Sequence, residues 1–221
     1  YGESSRVAYK REILVLYNTA IEKELSSAHF LASLPLEYLG YIPVLKRIQD
    51  GLPDINELSR YKAVIVWPEN VIVDTQAYEA WIKLLLKQKI KVLFLQGFGP
   101  RDDTALSAML GIEKVENKAD VLQRQEVIYK DSVFDFETPL RLNYMQTLYQ
   151  PKDAQALLRV ANEYGQTHVP VAVSVWGGYA LSGMLTASFA DDTLWIINPF
   201  EFFKMALDLE EIPVPDPTTQ N

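Results

Sequence analysis

The chain has 221 residues, with 21 Lys and Arg set against 29 Asp and Glu, a formal charge of −8, and 48% hydrophobic residues. That balance opposes a polyanionic partner, so no nucleic acid is expected, and no apolar run reaches the roughly 20 residues that cross a bilayer. Cysteine is absent and histidine occurs only as His29 and His168, which excludes disulfides, thiolate nucleophiles and cysteine metal sites and leaves a thin supply for any zinc or triad chemistry.

Tyr1 to Lys10 is polar and unpatterned. Ile13 to Tyr17 is a continuous apolar run, which predicts a buried central strand ending at Tyr17-Asn18. A helix is expected next, with Leu25, Ala28, Phe30, Leu31 and Leu34 on its inward face and His29 within it. After Gly40, Tyr41 to Ile48 reads as a second strand, and Pro43 places it near a sheet edge. The turn Asp50-Gly51-Leu52-Pro53-Asp54 leads to a third strand, Ala63 to Trp67, closed by Pro68. Asp74 or Thr75 then caps a helix through Gln88, with Ala77, Trp81, Leu84 and Leu85 as its inward stripe.

A further strand, Val92 to Leu95, runs into the elbow Gln96-Gly97-Phe98-Gly99-Pro100. In α/β folds such elbows often raise a Ser or Cys nucleophile, but the apex here is Phe98, whose ring cannot attack anything. Asp102 and Asp103 start a short helix that Gly111 stops. Alternating strand and helix over this half predicts an α/β fold, a Rossmann-like or flavodoxin-like three-layer sandwich with a mainly parallel sheet. Residues 112–150 read as an inserted excursion of short alternating stretches. Pro151-Lys152-Asp153 is expected to open a helix to about Tyr164. Val169 to Trp176, Tyr179 to Phe189 and Thr193 to Ile197 then form an antiparallel meander, and Asn198-Pro199-Phe200-Glu201 begins a last helix. Residues 1–211 are expected to form one domain, and the alternating prolines of 212–221 read as a linker to a following domain.

Ligands of open parallel sheets lie outside the carboxyl ends of the strands. The residues expected there are Tyr17 and Asn18, Trp67 and Glu69, and Gln96, Gly97, Phe98, Gly99 and Arg101. Rings beside hydrogen-bonding groups suit either a ligand site or a domain interface. Gly97-Phe98-Gly99 lacks the spacing of phosphate-binding loops, so no nucleotide cofactor is expected. Asp102 and Asp103 serve as helix-start residues, Ser174 and Ser182 have no nucleophile-elbow frame, and neither histidine has a ligand partner at metal spacing. No catalytic residue, metal or cofactor is assigned. Flat contact through Phe98, with Tyr17 and Trp67 as neighbours, is the expected use of the elbow.

Ile13-Leu14-Val15-Leu16-Tyr17, Leu34-Pro35-Leu36-Glu37-Tyr38-Leu39-Gly40, Asp50-Gly51-Leu52-Pro53 and Tyr61-Lys62-Ala63-Val64-Ile65-Val66-Trp67 together resemble the central domain of PelA-type exopolysaccharide proteins. In that family an amidotransferase-like Rossmann domain sits between a glycoside-hydrolase domain and a polysaccharide deacetylase. The resemblance implies a periplasmic or extracytoplasmic setting. It also implies neighbouring hydrolase and deacetylase domains as partners, with a secretion scaffold protein or an amino-sugar polymer as further ones. It transfers no catalytic residue, since the position that matches the amidotransferase cysteine is Phe98. Two readings follow: a non-catalytic module that positions domains, binds glycan or docks a partner, or a hydrolase of amidotransferase-like or flavodoxin-like descent using Glu69 with His29 or His168.

Overall fold

The computed structural model describes residues 10–18, 26, 28–95, 97–114, 126–129, 132–133, 149–161, 167–173, 178–180, 186–189, 192–195 and 198–210. Its centre is a four-stranded parallel sheet of β1 (Glu12–Tyr17), β2 (Ile42–Arg47), β3 (Tyr61–Trp67) and β4 (Lys91–Phe94), in the order β2-β1-β3-β4. This is the flavodoxin-like arrangement, with strand order reversing between β1 and β3. Tyr17 is level with Arg47 on one side and Trp67 on the other, so the three strands end together. As Pro43 predicted, β2 is the outer strand.

Alternation along each buried strand sends side chains to two separate layers. Ile13, Val15, Ala63, Ile65 and Leu93 pack with Leu31, Ala32 and Leu36 and with Phe202, Phe203 and Leu207. Leu14, Leu16, Val64, Val66, Val92 and Phe94 pack against Tyr78, Trp81, Ile82 and Leu85. Helices therefore cover both faces, which is why the strands are apolar on both sides.

On the first face α1 (Leu34–Tyr38) is entered through a π turn, His29–Ser33. Ala28 and Leu31 are buried as expected, but Phe30 and Leu34 are half exposed, at 52% and 46%. The wider π turn shifts the register so that Ala32, Ser33, Pro35 and Leu36 face inward instead. On the second face α2 (Thr75–Lys87) is capped by Asp74, whose Oδ1 accepts from the Ala77 amide. Its buried stripe is Tyr78, Trp81, Ile82, Leu85 and Leu86, one position round from the expected one, and Ala77 and Leu84 are exposed. The Trp81 indole fixes this rotation by donating from Nε1 to the Pro53 carbonyl at 2.8 Å. A short α3 (Thr104–Met109) follows, and Gly111 ends it at φ 72°.

Beyond α3 come β5 (Ile112–Lys114), β6 (Glu126–Tyr129), β7 (Ser132–Val133) and β8 (Tyr149–Pro151), where the excursion was expected. The helix expected after Pro151 is instead a strand, β9 (Gln155–Ala161). The amides of Lys152, Asp153 and Ala154 all donate to the Gly111 carbonyl, so the first helical turn never forms. β9 is then paired on both sides, by β6 and by β10 (Thr167–Val173), and this pairing outweighs its helical composition. With β7 and β11 (Gly178–Ala180) they make a five-stranded antiparallel sheet, while β12 (Thr186–Phe189) and β13 (Asp192–Trp195) form a hairpin. The stretch Tyr179 to Phe189, read as one strand, contributes to β11 and β12. Finally α4 (Pro199–Leu207) starts as predicted: Asn198 Oδ1 accepts from the Phe200 and Glu201 amides, and Pro199 takes the first helical position. The proposed linker after residue 211, Ser174 and Ser182 lie outside the described residues.

Candidate functional site at the carboxyl edge

The end of β1, the loop after β3 and the elbow after β4 meet at the carboxyl edge of the sheet. Asn18 closes β1, and its Nδ2 donates to the Asn70 carbonyl at 2.6 Å while the Asn70 amide returns a bond to the Asn18 carbonyl at 3.0 Å. Two residues on, the Ile72 amide donates to the Gly99 carbonyl at 3.0 Å. The loop after β3 is thereby pinned to both the β1 end and the elbow. Between it and the loop after β2 lies a cavity of about 610 Å³, bordered by Asn18, Gln49, Leu52, Asn70, Ile72 and Tyr78 among others. An adjoining cleft of about 610 Å³ runs along the end of β2, with Lys46, Arg47 and Asp50 on its walls. There the Arg47 guanidinium stands 6.0 Å above the Tyr17 ring, at the outer limit of a cation–π contact.

The elbow is a packed corner. Phe98 is 2% exposed, and its ring meets Phe94 and Tyr149 edge-on at centroid distances of 5.1 and 5.5 Å. Its carbonyl accepts from the Tyr78 hydroxyl at 2.8 Å, and burial holds that phenol well above the usual tyrosine range. The Tyr149 hydroxyl in turn donates to the Asp103 carboxylate. Gly99 is required by this packing: at φ 112°, a Cβ on it would collide with Ile72 Cδ1. The expectation that Phe98 and Trp67 offer rings for contact is therefore corrected, whereas Tyr17 borders the cleft at the end of β2, beneath Arg47. Trp67 is 1% exposed, and its ring belongs to the core beneath the edge.

Of the other expected residues, Asn18 borders the cavity, Gly97 is half-buried, and Glu69 and Arg101 are exposed. Gln96 lies outside the described residues. Asp102 accepts from the Thr104 hydroxyl and amide, bonds that lower its carboxyl pKa, so it is a helix-start residue as expected. Glu69, His29 and His168 are placed on three different elements: the loop after β3, the π turn and β10. His29 Nδ1 and Ser33 Oγ, one turn apart, are buried with no hydrogen-bond partner among the described residues. No group of three or more His, Asp or Glu able to hold a metal occurs among the described residues. The residues missed from sequence are Gln49, Asn70 and Asp74. Their signal was their place in the loops directly after predicted strands.

The strand order and the two helical layers define a flavodoxin-like α/β domain. No protein-family model matches the sequence, and no curated protein does. Among solved structures the chain is similar to an exo-β-1,4-mannosidase from Opitutaceae bacterium strain TAV5, with a TM-score of 0.50 and 17% identity, covering 76% of this chain and 30% of that one. It is also similar to a β-galactosidase from Bacillus circulans sp. alkalophilus, with a TM-score of 0.50 and 12% identity, covering 78% of this chain and 28% of that one. A glutamine amidotransferase from Thermotoga maritima aligns at a TM-score of 0.49 and 12% identity, over 78% and 75% of the two chains. The chain thus spans less than a third of either glycosidase. At such identities the likeness is one of fold.

Proposed function

We propose that the chain is a non-catalytic flavodoxin-like module of a larger polysaccharide-modifying protein of exopolysaccharide biosynthesis, positioning neighbouring hydrolase and deacetylase domains outside the cytoplasm. The observation that carries this reading is the elbow. Where an attacking group would stand above the sheet, the chain puts a ring that is buried among Phe94, Tyr78 and Tyr149. No cysteine exists to replace it. A positioning role draws further support from the apolar side chains of Phe30, Leu34, Tyr38 and Ile42, exposed by 52%, 46%, 78% and 52% around α1. Large exposed apolar side chains gathered on one side of a domain suit contact with another. The sequence resemblance to the PelA-type central domain supplies the glycan context. Two glycosidases that share this fold over less than a third of their length agree with it.

The test is turnover. The purified chain, offered chromogenic amides, esters and glycosides, is expected to give no rate above the buffer background. A rate that disappears in Glu69→Gln or His29→Asn would sink the reading and leave a hydrolase with a non-cysteine site.

A further inference from the structure

We propose that the cavity between Asn18, at the end of β1, and the loops after β2 and β3 binds an uncharged, hydroxyl-rich ligand, a segment of a neutral saccharide. The proposal rests on the glycan context given above, while its chemistry is argued from the cavity. It lies at the carboxyl edge beside the point where strand order reverses between β1 and β3, the usual place for a ligand in an open parallel sheet, with Asn18 at the end of β1 on its wall. Its volume of about 610 Å³ falls in the range of small-molecule sites, roughly 300–1,000 Å³.

Three carboxamides border it: Asn18, Gln49 and Asn70. A carboxamide both donates and accepts, and so does a sugar hydroxyl, so each can satisfy the other without a net charge on either side. Asn18 is the anchor. It is 4% exposed, and its Nδ2 is committed to the Asn70 carbonyl, which leaves Oδ1 to accept from a ligand hydroxyl. Between these groups the walls are aliphatic, formed by Leu52 and Ile72, and Val71 and Val73 stand exposed at the rim. Such walls suit the C–H faces of a pyranose ring.

Charge excludes the common alternatives. Among the described residues that border this cavity there is no Lys, Arg or His, and the one carboxylate, Asp74, caps α2. A phosphate or carboxylate would enter without a counter-charge, against a protein of charge −8. Anions have a better place next door, beside Lys46 and Arg47. The site is also preformed, since the Asn18–Asn70 and Ile72–Gly99 bonds brace one rim and the Trp81–Pro53 bond ties down the other. Little ordering cost remains for a ligand to meet.

Calorimetric titration of the full chain with mannotriose, galactotriose and the trimer of N-acetylglucosamine tests the proposal, with galacturonate trimer and flavin mononucleotide as anionic controls. Saturable binding of at least one neutral trimer is expected. Filling the cavity from an exposed lining position with Ala77→Trp should weaken it by about tenfold or more. Gln49→Ala should weaken it in the same direction, in case the larger substitution perturbs α2. Lys46→Ala, in the neighbouring cleft, should leave it within roughly twofold. The proposal is overturned if no neutral trimer binds, if either anion binds as tightly and Ala77→Trp weakens that binding too, or if Lys46→Ala abolishes binding that Ala77→Trp and Gln49→Ala leave intact. Binding accompanied by turnover of the trimer would overturn the non-catalytic reading and leave the site standing. Absence of both would overturn the site alone.

Discussion

Gly97 and Gly99 share one backbone region, at φ 108° and 112°, yet the space around them differs. A Cβ at Gly97 would meet nothing within 4 Å, whereas one at Gly99 would run into Ile72. Gly97→Ala should therefore cost only the backbone strain, roughly 1–3 kcal/mol. Gly99→Ala should cost more, and Ile72→Ala in the same chain should recover part of the difference, as read from urea midpoints. Equal costs at the two glycines would show that Ile72 moves aside freely. At Asp102 the prediction concerns pH. Hydrogen bonds from Thr104 lower its folded pKa, so its stabilising contribution is present at neutral pH and disappears as pH falls through that lowered value. The stability gap between wild type and Asp102→Ala should accordingly close on acidification below about pH 4. A gap that persisted at pH 2 would rule out the ionised carboxylate as its source. Residues of this kind were legible early, because turn and cap chemistry is written in adjacent positions. The direction of the Phe98 ring was not, since Tyr149, which covers it, arrives from a distant part of the chain.

Helix faces show the limit of periodicity at the scale of elements. Reading α2 by spacing alone put Leu84 inward, but the helix is rotated so that Ile82 and Leu86 are buried and Leu84 is 44% exposed. Leu84→Lys should change stability by no more than about 0.5 kcal/mol. Ile82→Lys should prevent cooperative folding, because it would bury an unpaired charge at a fully enclosed position. The reverse result, measured by thermal melts, would restore the original stripe. β9 makes the same point more strongly. Gln155 to Ala161 has a helical composition, and only its two pairing partners make it a strand. By contrast, β1, β3 and β4 were recognisable from continuous apolar runs, and α4 from Asn198, Pro199 and Glu201.

Across the whole molecule the sheet is shared property. Its two faces pack on separate helical layers, and neither layer can bury its apolar side without the strands between them. Differential scanning calorimetry should therefore show one transition for the parallel sheet and the helices packed on it. Two resolved transitions would mean that the layers fold as separate units. The carboxyl edge follows the same logic. The sequence marked Asn18, Glu69 and the elbow as belonging to that edge, and the structure adds Gln49, Asn70 and Asp74 around one cavity.

By itself the sequence determined the strand runs, the capped helices, the glycine corner and the lack of a thiol nucleophile, because each depends on neighbouring residues or on composition. Only the tertiary structure decided that Phe98 and Trp67 lie beneath the surface and that the carboxamides of Asn18, Gln49 and Asn70 border the opening. Burial at a strand end is set by whatever the chain later packs over it, and no local pattern carries that information.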